Sequence, residues 1–377
     1  MPVIKAGKQR QLVCDTCGRQ SEPVDVHSVA ADLDACEQLE PVGWTFDCDF
    51  FAMALGHTVV TDSRIAGIIS QYLADLQIAR GQAAAAVKRL RASAGKAIAV
   101  SDWPALQTIA PDLDSAQTRI QKIDRAFIAF EKQARAISDA RRSFAMHGSY
   151  ILTNAQALTI VGDLSDPSKM PCFGYSLPAA ACILGQKYAG ICGSVCSKCY
   201  ASHGNYSYIE VKANLFRRLI AVSDLDLWYA AMCQAIAYRY RKTTNKKSKQ
   251  AIDLGYFRIH DSGDLQSVAH LQAIAKIART FPSISFWLPS KQINFVRSFL
   301  ASETMPANLI VRISAPMIGQ VKPQPLPLRA SAVNAAASEI VHVCHVLPKT
   351  KDPIHKQCGD CRQCWNNRIA VVSYHAH

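Results

Sequence analysis

The chain has 377 residues, 49% hydrophobic and 19% charged, a balance that can bury a core and excludes a disordered polymer. Lysine and arginine exceed aspartate and glutamate by 42 − 29 = 13, which favours nucleic acid or an anionic cofactor as partner and says nothing about fold. No apolar run reaches the ~18 residues of a spanning helix, and Met1-Pro2-Val3-Ile4-Lys5 lacks the apolar stretch of a signal peptide, so the expectation is a cytoplasmic chain with no membrane association.

In that compartment the fourteen cysteines read as metal ligands rather than disulfides. Residues 1–55 open with Cys14-Asp-Thr-Cys17-Gly18, a C-x2-C-G knuckle like one half of a zinc ribbon. The second half keeps only Cys48, so Cys36 or His27 would have to complete a zinc site; a ribbon that has lost its metal is the equal alternative.

Residues 60–147 are expected to form a long helical hairpin. Ile65, Tyr72, Ala79 and Ala86 alternate with Ile69, Leu76, Ala83 and Leu90 at heptad spacing. From Ser115, Ile123, Phe130, Ile137 and Phe144 alternate with Ile120, Phe127 and Ala134, with Asp114 or Ser115 as cap. Each arm would be ~40 Å long, a spacer or a surface for homodimerisation.

From residue 148 to 377 the pattern becomes α/β. Tyr256–Ile259, Ile284–Leu288 and Leu309–Ile313 read as strands, separated by helices over Ser267–Thr280 and Gln292–Leu300. Strand, helix, strand at this spacing predicts a partial parallel (β/α) barrel, with ligands at the carboxyl ends of the strands. Those ends are His260-Asp261-Ser262-Gly263-Asp264, Ser290-Lys291 and Ser314-Ala315.

Two cysteine groups flank these strands. Cys192, Cys196 and Cys199 stand at C-x3-C-x2-C spacing, which suits a 4Fe-4S cluster with one open iron; a zinc site completed by Cys182 suits it as well. Cys344, Cys358, Cys361 and Cys364 form a second metal candidate, a further cluster or a structural zinc, with His345, His375 or His377 as other ligands. Cys233 stands apart as a small buried hydrophobe. Arg239 to Lys249 places six cations in eleven residues, a solvated loop or a phosphate-contacting one with Tyr238 and Tyr240 for stacking.

The order of these motifs over residues 170–320 resembles the radical S-adenosylmethionine superfamily. The resemblance implies a 4Fe-4S cluster on Cys192, Cys196 and Cys199 that binds S-adenosylmethionine. It implies Ser262, Gly263 and Asp264 as a degenerate Gly-Gly-Glu-type motif on the methionine moiety, and Arg312 and Ser314 at an Ile-Ser-type strand end. His260, Asp261, Asp264 and Lys291 are then the candidate catalytic residues. The chain departs from that pattern at Lys198, where an aromatic usually precedes the third cysteine. A closer resemblance is to the phage-encoded gene product 88 family, in Ser176-Leu177-Pro178-Ala179, Cys199-Tyr200-Ala201, His260-Asp261-Ser262-Gly263-Asp264 and the late cysteines with Tyr374 and His375. It implies a mobile genetic element as source and no particular activity.

Two competing functions stand beside the radical enzyme. Asp261-Ser262-Gly263-Asp264-Leu265-Gln266 is also similar to the active-site turn of tRNA-guanine transglycosylases, which are zinc-bearing barrels; Asp261 would be the active carboxylate. A non-catalytic, metal-stapled nucleic-acid-binding protein would use the basic surface and the N-terminal knuckle.

Overall fold

The computed structural model describes residues 3–6, 9–12, 60, 62–241, 252–348 and 350–376. The knuckle cysteines Cys14 and Cys17, their completing residues, His377 and most of the basic run lie outside them. The chain divides into two compact units, residues 1–53 with 70–127, and residues 54–69 with 128–377.

In the first unit, strands β1 (Val3–Ala6) and β2 (Gln9–Leu12) pair antiparallel. Its other described residues belong to two helices, α1 (Ser63–Ala99) and α2 (Trp103–His147). Tyr72, Leu76 and Ala83 of α1 and Ile123 and Phe127 of α2 are buried, as their spacing predicts. Arg80 Nε reaches Asp124 Oδ1 at 2.6 Å.

The second helix begins twelve residues before Ser115, the expected start. Asp102, not Asp114 or Ser115, caps it, accepting from the Ala105 amide at 3.1 Å. Trp103 and Pro104 fall in the first turn, where a missing N–H leaves nothing unpaired. The helix then runs through Pro111. Phe144, expected on the buried stripe, is 42% exposed and contacts the Tyr150 ring at 4.5 Å.

The second unit contains the bases of both helices and the α/β layer. Gln133 of α2 is fully buried and donates to the carbonyls of Ile160 (2.6 Å) and Arg217 (2.7 Å). Arg141 pairs with Asp224. The base of the hairpin therefore belongs with the α/β unit, where the heptads alone would have kept it with the arm.

Seven parallel strands follow. They are β3 (Gly174–Tyr175), β4 (Tyr256–Ile259), β5 (Ser285–Ser290), β6 (Leu309–Ser314), β7 (Arg329–Val333), β8 (Val341–Val343) and β9 (Val371–Tyr374). They pair in the order β3-β4-β5-β6-β7-β9-β8. The edge strands β3 and β8 are not paired with each other among the described residues, so the pairing shows a parallel sheet and not a closed barrel. The sheet is nonetheless larger than the sequence predicts. Its last three strands are three to five residues long, too short for a periodic signal, and β9 inserts between β7 and β8.

Helices connect the strands: α3 (Asn154–Val161), α4 (Ile183–Ala189), α5 (Ile209–Ala221), α6 (Leu225–Arg239), α7 (Val268–Thr280) and α8 (Ile293–Ser302), with a short α9 (Pro353–Lys356) in the C-terminal loop. Ser267 caps α7 by accepting from the His270 amide at 3.0 Å. No described helix is long and apolar enough to cross a membrane.

Candidate functional site at the carboxyl edge of the sheet

The turn after β4 is the centre of this edge. Gly263 has φ +79°, and a Cβ there would come within 2.5 Å of the Leu177 Cβ and 2.8 Å of its carbonyl oxygen. Only glycine lets the two segments approach so closely. Leu177 N donates to the Ser262 carbonyl at 3.0 Å, and Ser262 Oγ returns a bond to the Leu177 carbonyl at 2.8 Å. Ser176 Oγ donates to Asp261 Oδ1 at 3.1 Å. Ser176-Leu177-Pro178 and Asp261-Ser262-Gly263, 85 residues apart, thus form one structure.

The thiol loop closes over this turn. Val195 N donates to the Pro316 carbonyl at 2.9 Å and Ile318 N to the Gly193 carbonyl at 3.0 Å, tying the loop to the segment after β6. Tyr200, next to Cys199, donates to the Asp261 carbonyl, and Tyr206 to Asp261 Oδ1 at 2.8 Å. A Cβ on Gly185 would lie 3.5 Å from Cys182 Sγ and 3.8 Å from Cys196 Sγ, so two thiols share one cradle. Burial pushes both thiols up; Lys291 pulls each back down, while Asp264 adds to the rise. Cys182, Cys196, Cys199, Asp264 and Lys291 are therefore neighbours at the ends of β4 and β5. Cys192 is exposed.

Not every predicted residue faces this edge freely. Asp264 is buried and accepts from Ser290 Oγ (2.6 Å), Leu265 N (2.7 Å) and Lys291 N (2.9 Å). Its carboxylate is a clamp between β4 and β5. Arg312 is fully buried, and its five N–H groups donate to the carbonyls of Cys364, Ala330, Ile369, Gln363 and Asn366 at 2.9–3.2 Å. It has no donor left for a cofactor; it anchors the C-terminal loop. Ser314 Oγ lies 3.1 Å from Ser331 Oγ.

His260 is 2% exposed, has φ +57° and stacks edge-on to His270 at 5.6 Å, which in turn meets Trp228 at 5.1 Å. Neither ring nitrogen of His260 has a hydrogen-bond partner among the described residues. Burial holds His260 well below the usual histidine range and His270 at about 3. Both rings sit neutral in the core beneath the edge.

The C-terminal cysteines gather elsewhere. Cys358 and Cys364 pack with Cys172, Met170, Trp287, Trp365 and Tyr374. Burial raises Cys358 to about 11 and Cys364 to about 12, with Cys344 adding to both. His345 and His375 turn ring nitrogens to the carbonyls of Gln357 and Cys344. Cys172 therefore joins this group and not the mid-chain one, which its place in the sequence concealed. In the basic run, Arg239 pairs with Asp163, and Tyr240 donates to the Tyr256 carbonyl at 2.5 Å and packs on Phe173. Tyr240 is thus committed to the fold and not available for the stacking that the phosphate-contacting alternative gives it.

Residues 148–367 match the family model of gene product 88. The chain belongs to that family. The match stops short of Tyr374 and His375, two residues counted among its marks in the sequence. No curated protein and no solved structure matches the chain. Within the family segment lie both cysteine groups and the interlocked Ser176–Leu177 and Asp261–Gly263 turns. Tyr206, whose hydroxyl fixes Asp261, carries no motif and was not legible in advance.

Among the described residues no three His, Cys, Asp or Glu side chains converge as a metal site. The donor chemistry at both places still suits a thiophilic metal: at least four cysteines per group, and the Cys182 and Cys196 thiols both beside Gly185.

Proposed function

We propose that this protein is an iron–sulfur enzyme of the radical S-adenosylmethionine type, from a mobile genetic element, with its cluster on Cys192, Cys196 and Cys199. The observation that carries the reading is the position of the thiol loop. Backbone bonds to Pro316 and Ile318 and the tyrosine bonds to Asp261 hold it over the carboxyl ends of parallel strands, where such sheets bind ligands. When bound, a four-iron cluster supplies an electron and an open iron for a chelating amino acid. The chain's own residues would bind and orient. Lys291 brings a cation to the thiols and suits a carboxylate or phosphate. Asp264 keeps the ends of β4 and β5 in register, and Gly263 lets the backbone approach closely. The C-terminal cysteines would hold a second metal.

A second reading is base exchange on zinc. Asp261 favours it: Ser176 and Tyr206 both donate to Oδ1 and fix the carboxylate at the strand end. Iron, sulfide and zinc counts on anaerobically purified protein separate the two. Brown protein whose EPR signal S-adenosylmethionine perturbs, with the signal lost in Cys196→Ala, supports the first; colourless protein carrying zinc alone overturns it.

A further inference from the structure

Arg258 of β4 and Trp287 of β5 are register partners and stand side by side on one face of the sheet. The guanidinium lies over the indole at 4.4 Å. The C-terminal loop closes on this pair. Trp287 meets Trp365 edge-on at 5.3 Å and stacks on Tyr374 at 6.0 Å. Cys172, Cys358 and Cys364 pack into the same cluster, and Cys364 Sγ lies 3.3 Å from the Tyr374 hydroxyl.

Two buried donors in this cluster have no acceptor among the described residues: Arg258 Nε and Trp287 Nε1. Arg258 Nη1 reaches the Met170 thioether at 3.1 Å, and Tyr200 shares a hydrogen bond with the guanidinium. No carboxylate comes within ion-pair distance of it among the described residues. An unmatched buried donor costs about 1–3 kcal/mol, and more when charged. The acceptors at hand are the Met170 sulfur and the Tyr200 hydroxyl, while the Asp261 carboxylate acts on the guanidinium from beyond ion-pair distance.

We propose that Arg258 and Trp287 are positioning residues of a C-terminal thiolate metal centre, the guanidinium as its counter-charge and the two unmatched N–H groups as donors to its sulfurs. The inference rests on the metal reading of the C-terminal cysteines given above. A divalent ion with four thiolates carries a net charge of −2, which a buried site holds only with compensation nearby.

The test is cobalt(II) titration of the full-length, metal-free protein, followed by thiolate-to-cobalt absorption. Cys361→Ser identifies the component that belongs to the C-terminal centre. Arg258→Gln should weaken that component on the order of 10–100-fold while the same stoichiometry returns at high cobalt. Arg258→Lys, which keeps the charge, should recover most of the loss. Trp287→Phe should shift the absorption bands with a smaller loss of affinity. If Cys361→Ser removes the component and Arg258→Gln titrates like the parent, this inference falls alone. If Lys weakens binding as much as Gln, the guanidinium acts by packing and the inference also falls. If Cys361→Ser changes nothing, the C-terminal metal reading and this inference fall together.

Discussion

The two cysteine loops share ligand chemistry and differ in how the fold holds them. The mid-chain loop is tied to the edge of the sheet by two backbone bonds and by the Tyr200 and Tyr206 hydroxyls on Asp261, and Cys192 is exposed. The C-terminal loop is drawn in by the five donors of Arg312 and packed on Trp287 and Trp365. Open sites carry chemistry and closed sites carry structure. Under the proposed function, the difference gives substrate access to the first loop and stability to the second.

The sharpest way to break that contrast is Arg312→Met. It leaves five carbonyls of the C-terminal loop and its neighbours without their donor, an expected loss of about 5 kcal/mol at ~1 kcal/mol each. Chemical denaturation should show it, and the C-terminal metal should go while mid-chain iron is retained. Parent-like stability would mean that the loop is held by something other than Arg312.

Gly263→Ala is the mirror experiment. The added methyl meets Leu177 at 2.5 Å, and φ +79° strains any side chain. A loss of about 2–4 kcal/mol is expected. Here the edge should be displaced, so mid-chain iron falls while C-terminal metal stays. Equal loss of both metals in either variant would erase the distinction between the loops.

A smaller effect separates edge from loop by pH. His270 is held neutral, near 3 in the fold against about 6.5 unfolded. Its contribution is complete above pH 6.5 and is lost as pH falls from there toward 3, because only the unfolded chain takes up the proton. Between pH 6.5 and 5 that amounts to ~2 kcal/mol. Urea midpoints of metal-free protein at the two pH values should therefore draw closer in His270→Gln, the remaining gap being that of the buried His260. The same slope in parent and variant would move the acid sensitivity away from the histidine pair.

The sequence made the strands Tyr256–Ile259 and Leu309–Ser314 legible because each is a β-branched or aromatic run next to turn residues. It made the two turns at Leu177 and Gly263 visible as motifs, but not that they touch, since long-range contacts leave no local signal. Arg312 looked like a cofactor ligand because a cation at a strand end suits an anion. Its side chain instead takes carbonyls that the sequence cannot place. Cys172 lies nearest the mid-chain cysteines in the sequence, whereas the segment leading into β3 places it with Cys358.

The smallest expected effect concerns the hairpin, and here the contrast is between two cuts. Heptad spacing alone marks residues 63–145 as a removable arm. The fold places the boundary at 69/70 and 127/128. Removing 70–127 and joining Ile69 to Ile128 through a short glycine-rich turn should leave both metal contents unchanged, with less than ~1 kcal/mol lost from the remaining unit, as for a surface change that opens no core. Removing 63–145 takes away Phe130, fully buried, and Gln133 with its bonds to Ile160 and Arg217. A buried aromatic is worth about 3–5 kcal/mol and each lost bond ~1 kcal/mol, so that shorter protein should be strongly destabilised. Melting curves and metal counts of the two deletions decide between the boundaries, and equal behaviour would return the base of α2 to the arm.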